Sequence, residues 1–259
     1  MTIKDIANYL EEIAPLQQAE GFDNVGLLIG SYNSKVNGIL VTLDTLEETV
    51  DEAIAKNCNL IVSFHPIIFE GLKKINGNSY VERVVLKAIQ NNIAIYATHT
   101  ALDNSIVGVS AKMCEVLGLQ NQKILLPKDD VSIGMGMIGE LSEPMSEDDF
   151  LKYTKMIFNS GCVRHSKTLG KSIKKVAVLG GAGSFAISNA IEDKADAYIS
   201  ADFKYHDFFK AEEKILLIDV GHYESEQFTK NLLVEYLTKK FTSFAVVLSE
   251  KSTNPIYYI

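Results

Sequence analysis

The sequence predicts an α/β protein: two closely packed α/β lobes with mixed, mostly parallel sheets. Two observations carry this. Short runs rich in Val, Ile and Leu alternate with helical stretches of about three turns, the pattern of βαβ units. That alternation is interrupted once, by a glycine-containing antiparallel stretch, and then resumes after Lys171. The junction falls near residues 125–130, giving an N-terminal lobe over residues 1–127 and a C-terminal lobe over 128–259. At 259 residues and 47% hydrophobic, the chain is long enough for one large core or two.

Taken in order, Thr2-Ile3-Lys4-Asp5 is a capping box that opens an amphipathic helix ending at Ala14, before Pro15. The stretch Phe22–Gly30 is a turn leading into an apolar strand. Strand Gly38–Leu43 then leads to helix Leu46–Lys56, strand Asn59–Ser63 to helix Tyr80–Gln90, and strand Asn92–Thr98 to helix Val109–Leu117. In the middle, Gln122–Leu126 and Val131–Glu140 read as antiparallel strands. The run Ile133-Gly134-Met135-Gly136-Met137 puts glycine on one side, as in a strand packed closely against a neighbour. Ser146 caps a helix through Phe158, and Gly161–His165 is a short strand. Strand Lys174–Leu179 is followed by helix Ser184–Glu192, and Ala197–Ser200 by helix Lys204–Glu213. Strand Lys214–Val220 precedes helix Ser225–Phe241, and Ser243–Leu248 is the last strand.

Net charge is −8 and the pI about 5.2, so no basic surface points to nucleic acid. Cys58, Cys114 and Cys162 are far apart, odd in number and form no CxxC. They read as buried thiols in a reducing cytoplasm rather than a disulfide frame or a zinc cage. The helix that starts at Ile3 leaves no room for a signal peptide, and no apolar run approaches the roughly 20 residues of a membrane span. The expectation is a soluble cytoplasmic protein that does not bind a membrane.

Three of the five histidines sit just past predicted strands. In open α/β sheets that is where ligands bind. His65 follows Asn59–Ser63 and is restricted by Pro66; alone, such a residue is more often a turn or packing histidine. His99 follows Asn92–Thr98 with Asp103 four residues on, in what reads as a loop, where Asp103 would equally serve to cap the turn. His222 follows Lys214–Val220 and Gly221, with Glu226 four residues on, in a first helical turn that favours a carboxylate anyway. As a set, imidazoles and carboxylates delivered by three strand ends suit a divalent transition metal (zinc, iron, manganese, cobalt or nickel), as one ion or two sharing a bridging carboxylate. A rival signal is Gly181-x-Gly183-x-x-Ala186, a loose dinucleotide fingerprint with Asp202 about 20 residues on; its plain alternative is a tight strand-to-helix turn. His206 reads as a solvated helix histidine and His165 as surface. There is no GxSxG elbow, Walker loop or HExxH.

Six stretches in order carry a family resemblance: Phe22-Asp23-Asn24-Val25-Gly26-Leu27, Ser63-Phe64-His65-Pro66, Thr98-His99-Thr100-Ala101-Leu102-Asp103, Val176–Ser184, Asp202-Phe203-Lys204-Tyr205-His206, and Gly221-His222-Tyr223-Glu224-Ser225-Glu226. The chain resembles the NIF-three-like family, the GTP cyclohydrolase 1 type 2 homologues, nearly end to end. The resemblance implies a two-lobed fold with a pair of divalent metals in the cleft between lobes, and a ring-shaped homohexamer. Carried over by motif, His65, Asp103 and Glu226 match ligands of one ion. His222, with Asp103 and Glu226 as bridges, matches the other. Phe64 stands where many members have a further histidine, so the second ion is expected to be weaker, absent, or completed by water or His99. The resemblance also implies a hydrolase that opens the ring of a purine nucleotide or acts on a related small phosphorylated molecule, with His99 as the base candidate. The alternative is a metal-binding scaffold or regulatory protein without fast turnover. The short stretch Lys128–Leu169 implies that the large middle domain of some members is lacking.

Overall fold

The capping box forms in the computed structural model, which describes residues 1–259: the Asp5 carboxylate accepts the Thr2 N–H at 2.7 Å and the Thr2 hydroxyl at 3.0 Å. Helix α1 (Ile3–Ile13) follows, then α2 (Glu47–Ala55), α3 (Tyr80–Gln90), α4 (His99–Asp103), α5 (Val109–Val116), α6 (Glu147–Ile157), α7 (Ile187–Glu192), α8 (His222–Glu226) and α9 (Thr229–Lys240). The strands are β1 (Gly26–Ile29), β2 (Gly38–Thr42), β3 (Leu60–Ser63), β4 (Ala94–Ala97), β5 (Gln120–Pro127), β6 (Gly134–Ser146), β7 (Arg164–His165), β8 (Ser172–Ala182), β9 (Ala197–Ala201), β10 (Leu216–Asp219) and β11 (Ala245–Leu248).

The chain forms two units, Met1–Leu102 with Thr229–Thr253, and Asp103–Phe228 with Asn254–Ile259. The sequence reading placed a single junction at 127/128. The interleaving arises because β11 pairs in parallel with β2, more than 200 residues away, and a strand's own apolar pattern does not say which sheet it joins.

The first unit holds a five-stranded sheet in the order β1-β4-β3-β2-β11, parallel except for β1. Every residue of β2, β3 and β4 is buried, as expected of parallel strands covered on both faces. Val50 and Ala53 of α2 and Val84, Val85 and Ala88 of α3 pack on Leu40, Ile61 and Ile95. The C-terminal ends of three parallel strands therefore lie side by side, with Thr42 opposite Ser63 and Ser63 opposite Ala97.

The second unit holds a mixed six-stranded sheet, β5-β6-β8-β9-β10-β7, whose parallel core is β8-β9-β10. Residues alternate between its two faces. Val176, Val178, Ile199, Leu216 and Ile218 meet Phe150 and Phe158, while Ala177, Leu179, Tyr198 and Leu217 meet Ile187 and Phe203. The glycines of β6 are explained by close approach: a Cβ at Gly134 would run into the Leu126 carbonyl, and one at Gly136 would lie 3.1 Å from the Val178 carbonyl.

Cys58 and Cys114 are buried as expected, whereas Cys162 is exposed, and three local elements differ from the expected ones. His99–Asp103 is a one-turn helix, not a loop. The stretch Tyr205–Ala211 winds as a 3-10 helix, ended by Glu212 and Glu213 at φ 46° and 56°. The long helix expected over Ser225–Phe241 is divided into α8, which starts three residues early at His222, and α9. Gly221 at φ 97° makes the turn that lets α8 begin there.

Candidate functional site

In the first unit, Asp44, His65 and His99 follow the adjacent C-terminal ends of β2, β3 and β4. The His65 N–H donates to the Leu43 carbonyl and the His99 N–H to the Phe64 carbonyl, both at 2.9 Å. Strand register thus brings the two imidazoles to 5.2 Å between ring centroids. His65 Nδ1 lies 2.8 Å from Asp44 Oδ1, and the other Asp44 oxygen accepts the Thr253 hydroxyl at 2.5 Å. His99 Nδ1 lies 2.8 Å from Asp23 Oδ1, and Asp23 Oδ2 accepts the Thr100 N–H at 3.0 Å and the Thr100 hydroxyl at 2.5 Å. Burial of the Asp23 carboxyl raises its pKa, but the hydrogen bonds from His99 and Thr100 outweigh it and bring Asp23 down to about 2. Asp23 is therefore an anion at neutral pH, so His99 Nδ1 donates to it. His65 is paired with Asp44 through Nδ1 in the same way, and each pairing fixes the aim of its imidazole ring.

His99 holds this position at φ 26°, in the sparsely populated left-handed region. Such strain persists only where surrounding contacts enforce it, and here Asp23 does so. Phe64 is fully buried, its ring centroid 4.9 Å from His65 and 5.5 Å from His99. It is a wall for both imidazoles and has no donor atom to offer.

The second unit repeats the logic. Asp202 follows β9 and His222 follows β10, whose ends are paired with Asp219 opposite Ser200. His222 Nδ1 lies 2.7 Å from Asp202 Oδ2, and His222 Nε2 lies 3.2 Å from Glu226 Oε2, one helical turn along α8. Glu226 is 3% exposed. Burial of the imidazole pulls the His222 pKa down, but the hydrogen bonds to Asp202 and Glu226 prevail and carry it to about 11. Asp202, at φ 57°, is held below the ordinary carboxylate range by its hydrogen bond to His222. A proton on Nε2 thus faces the Glu226 carboxylate where a cation would be favoured, and His222 with Glu226 is a candidate metal-binding His/Glu group.

Room for that pair is made by Gly181. It sits at φ 69°; a Cβ there would run into Glu226 Oε1 and lie 3.3 Å from His222 Nε2. Its N–H donates to Ser225 Oγ at 2.9 Å and its carbonyl accepts from Ser200 Oγ at 3.0 Å. A Cβ at Gly183 would run into Ser200 Oγ and lie 2.5 Å from the Tyr198 hydroxyl. The glycine turn is thus packed against side chains, the local reason it resembles a dinucleotide fingerprint without leaving the space a pyrophosphate needs. Asp103 is the last residue of α4 and half-buried; it belongs to the second unit with His222 and Glu226. His206 is exposed against Tyr205, and His165 donates to the Ser166 carbonyl at the surface.

His65, His99, Asp103, His222 and Glu226 are legible as candidates in the sequence; Asp23 and Asp44 are not legible there as partners of imidazoles, and Asp202 enters only through the rival dinucleotide pattern, not as the partner of His222. The signal for Asp44 and Asp202 was present, since both follow a parallel strand next to one ending in histidine.

The family model for Duf34/NIF3 (NGG1p interacting factor 3) matches residues 1–255. A protein of Clostridium acetobutylicum named GTP cyclohydrolase 1 type 2 homolog is 33% identical over 229 residues, 87% of this chain and 85% of its own. One of the same name from Clostridium perfringens is 30% identical over the whole of both chains. A solved Staphylococcus aureus hypothetical protein superposes with a TM-score of 0.93 at 30% identity, covering 100% of this chain and 99% of its own. A Bacillus cereus protein related to NIF3 gives 0.92 at 25% identity with the same coverage.

Proposed function

The chain belongs to the Duf34/NIF3 family, and from that premise we propose that it is a metal-dependent hydrolase acting on a nucleotide or a related small phosphorylated molecule. In this reading one or two divalent transition-metal ions are held by His65, Asp103, His222 and Glu226. The observation that supports it is the repeated device by which His65, His99 and His222 each have Nδ1 held by an aspartate, at 2.8, 2.8 and 2.7 Å. That arrangement fixes the tautomer and aim of an imidazole, and it is the usual surrounding of a metal-ligating histidine. Bound there, a divalent ion supplies Lewis acidity, polarising an electrophilic centre and making water a better nucleophile near neutral pH.

The rest is done by side chains. His65 and His222 offer Nε2, Asp103 and Glu226 offer anionic oxygens, and Gly181 keeps the space beside Glu226 clear. His99, oriented by Asp23, takes the proton of the attacking water and returns it to the leaving atom. Opening a purine ring needs this pair of proton transfers, and the relatives' name points to that chemistry. The reading includes the ring-shaped homohexamer and a cytoplasmic location; no helix is long and apolar enough to cross a membrane.

One observation favours a second reading, a metal-binding scaffold or regulator without fast turnover: Phe64 gives the end of β3 one imidazole instead of two. The two readings separate in His99→Gln. The hydrolase loses about 100-fold or more in kcat for GTP with metal content unchanged; equal slow turnover in both proteins would favour the scaffold.

A further inference from the structure

Beside His99, and outside the proposed ligand set, two phenylalanines stand in solvent. Phe22 is 68% exposed and Phe69 49% exposed. Their ring centroids are 6.3 Å apart at an interplanar angle of 51°, and Phe69 lies 6.1 Å from the His99 ring. Single exposed apolar residues are ordinary; a pair held in place beside strained His99 is not.

The pair is held by hydrogen bonds on both sides. The turn that carries Phe22 is fixed at Glu20, whose N–H donates to the Thr100 hydroxyl at 2.9 Å, and at Asp23, through His99 and Thr100. Asn24 Nδ2 donates to the Ile68 carbonyl at 2.5 Å, tying that turn to the loop that carries Phe69. The two rings therefore keep their spacing without packing into a core, which lowers the ordering entropy a ligand would otherwise have to overcome. Phe69 also walls a groove of about 530 Å³ lined by Lys73, Ser79 and Tyr80. That is within the usual volume of small-molecule sites and leaves space for a sugar and a phosphate.

We infer that Phe22 and Phe69 form the subsite for a planar heteroaromatic ring, the base of a nucleotide, which stacks on one phenyl face and meets the other edge-on beside His99. This rests on the proposed hydrolase reading and adds to it the part of the substrate that is recognised. Stacking tolerates any base, so the subsite selects a ring rather than a particular purine.

The test is calorimetric titration of the full-length, metal-loaded protein with guanosine 5′-monophosphate and with ribose 5-phosphate, which lacks the ring. Wild type should prefer the nucleotide by about 10-fold or more. Phe22→Ala and Phe69→Ala should each weaken the nucleotide about five-fold or more and leave ribose 5-phosphate unchanged. Phe69→Tyr should retain affinity and Phe69→Leu should not, which separates stacking from apolar bulk. Wild type with no preference for the nucleotide, or alanine variants that bind it as wild type does, would overturn the inference. So would variants altered only in sedimentation mass, which would make the rings a contact between copies. Metal content of the same samples keeps the failures apart: metal without ring preference sinks only this inference, whereas absence of metal sinks the hydrolase reading.

Discussion

Gly181→Ala tests whether the space beside Glu226 is functional. At φ 69° an alanine costs about 1–2 kcal/mol in backbone strain alone. Its Cβ would also run into Glu226 Oε1, in a carboxylate that is 3% exposed on a helix whose first residue is His222. Glu226 has no open solvent to swing into, so either it leaves His222 or β8 shifts. We expect about 1–2 kcal/mol more for that collision, within the range for overpacking a filled site. At about 2–4 °C per kcal/mol for a chain near this size, Tm falls by about 5–15 °C. Gly170→Ala is the control: φ is 71°, but nothing lies within 4 Å of the new Cβ, so it carries the strain without the collision. Scanning calorimetry and elemental analysis should show Gly170→Ala slightly less stable with full metal. Gly181→Ala should be clearly less stable, with metal reduced about ten-fold or more. Equal Tm and equal metal in the two variants would refute the reasoning.

The remaining predictions concern the aspartates. Because Asp23 titrates at about 2 in the fold against 3.8 ordinarily, it contributes about 2 kcal/mol of stability that is present above pH 4 and lost as pH falls toward 2. Asp23→Asn should therefore be less stable than wild type by about that much in urea at pH 6, with the gap closing near pH 2.5; an unchanged gap would mean the charge is not what matters. Asp202→Ala removes the partner of His222 Nδ1 and should weaken metal binding about 10–100-fold in chelator competition without removing a ligand; unaltered affinity would show that Asp202 does not orient the imidazole.

Much of this arrangement was legible because strand ends are written locally. An apolar run followed by His65-Pro66, or by Gly221-His222, announces an imidazole at a sheet's C-terminal edge. The His222–Glu226 spacing was legible for the same reason, although the helix that carries it begins earlier than Ser225. What was hidden depends on distance along the chain. Asp44 meets His65 across 21 residues and Asp23 meets His99 across 76, so these pairs exist only once strand register is set. Helix α4, at five residues, is too short to show a period. The turn at Gly181 is ambiguous in the sequence because a phosphate-binding loop and a crowded side-chain site make the same local demand, a backbone without Cβ.

The central claim is most directly tested by counting metal ions. Elemental analysis of the wild-type protein, loaded with zinc, iron or manganese and desalted, should give between one and two ions per chain. Asp103→Asn should lose them, and the fraction lost in His222→Ala should report the second position beside Phe64. Wild-type protein that retains no metal after all three treatments would contradict the account and leave a fold whose histidines serve only structure.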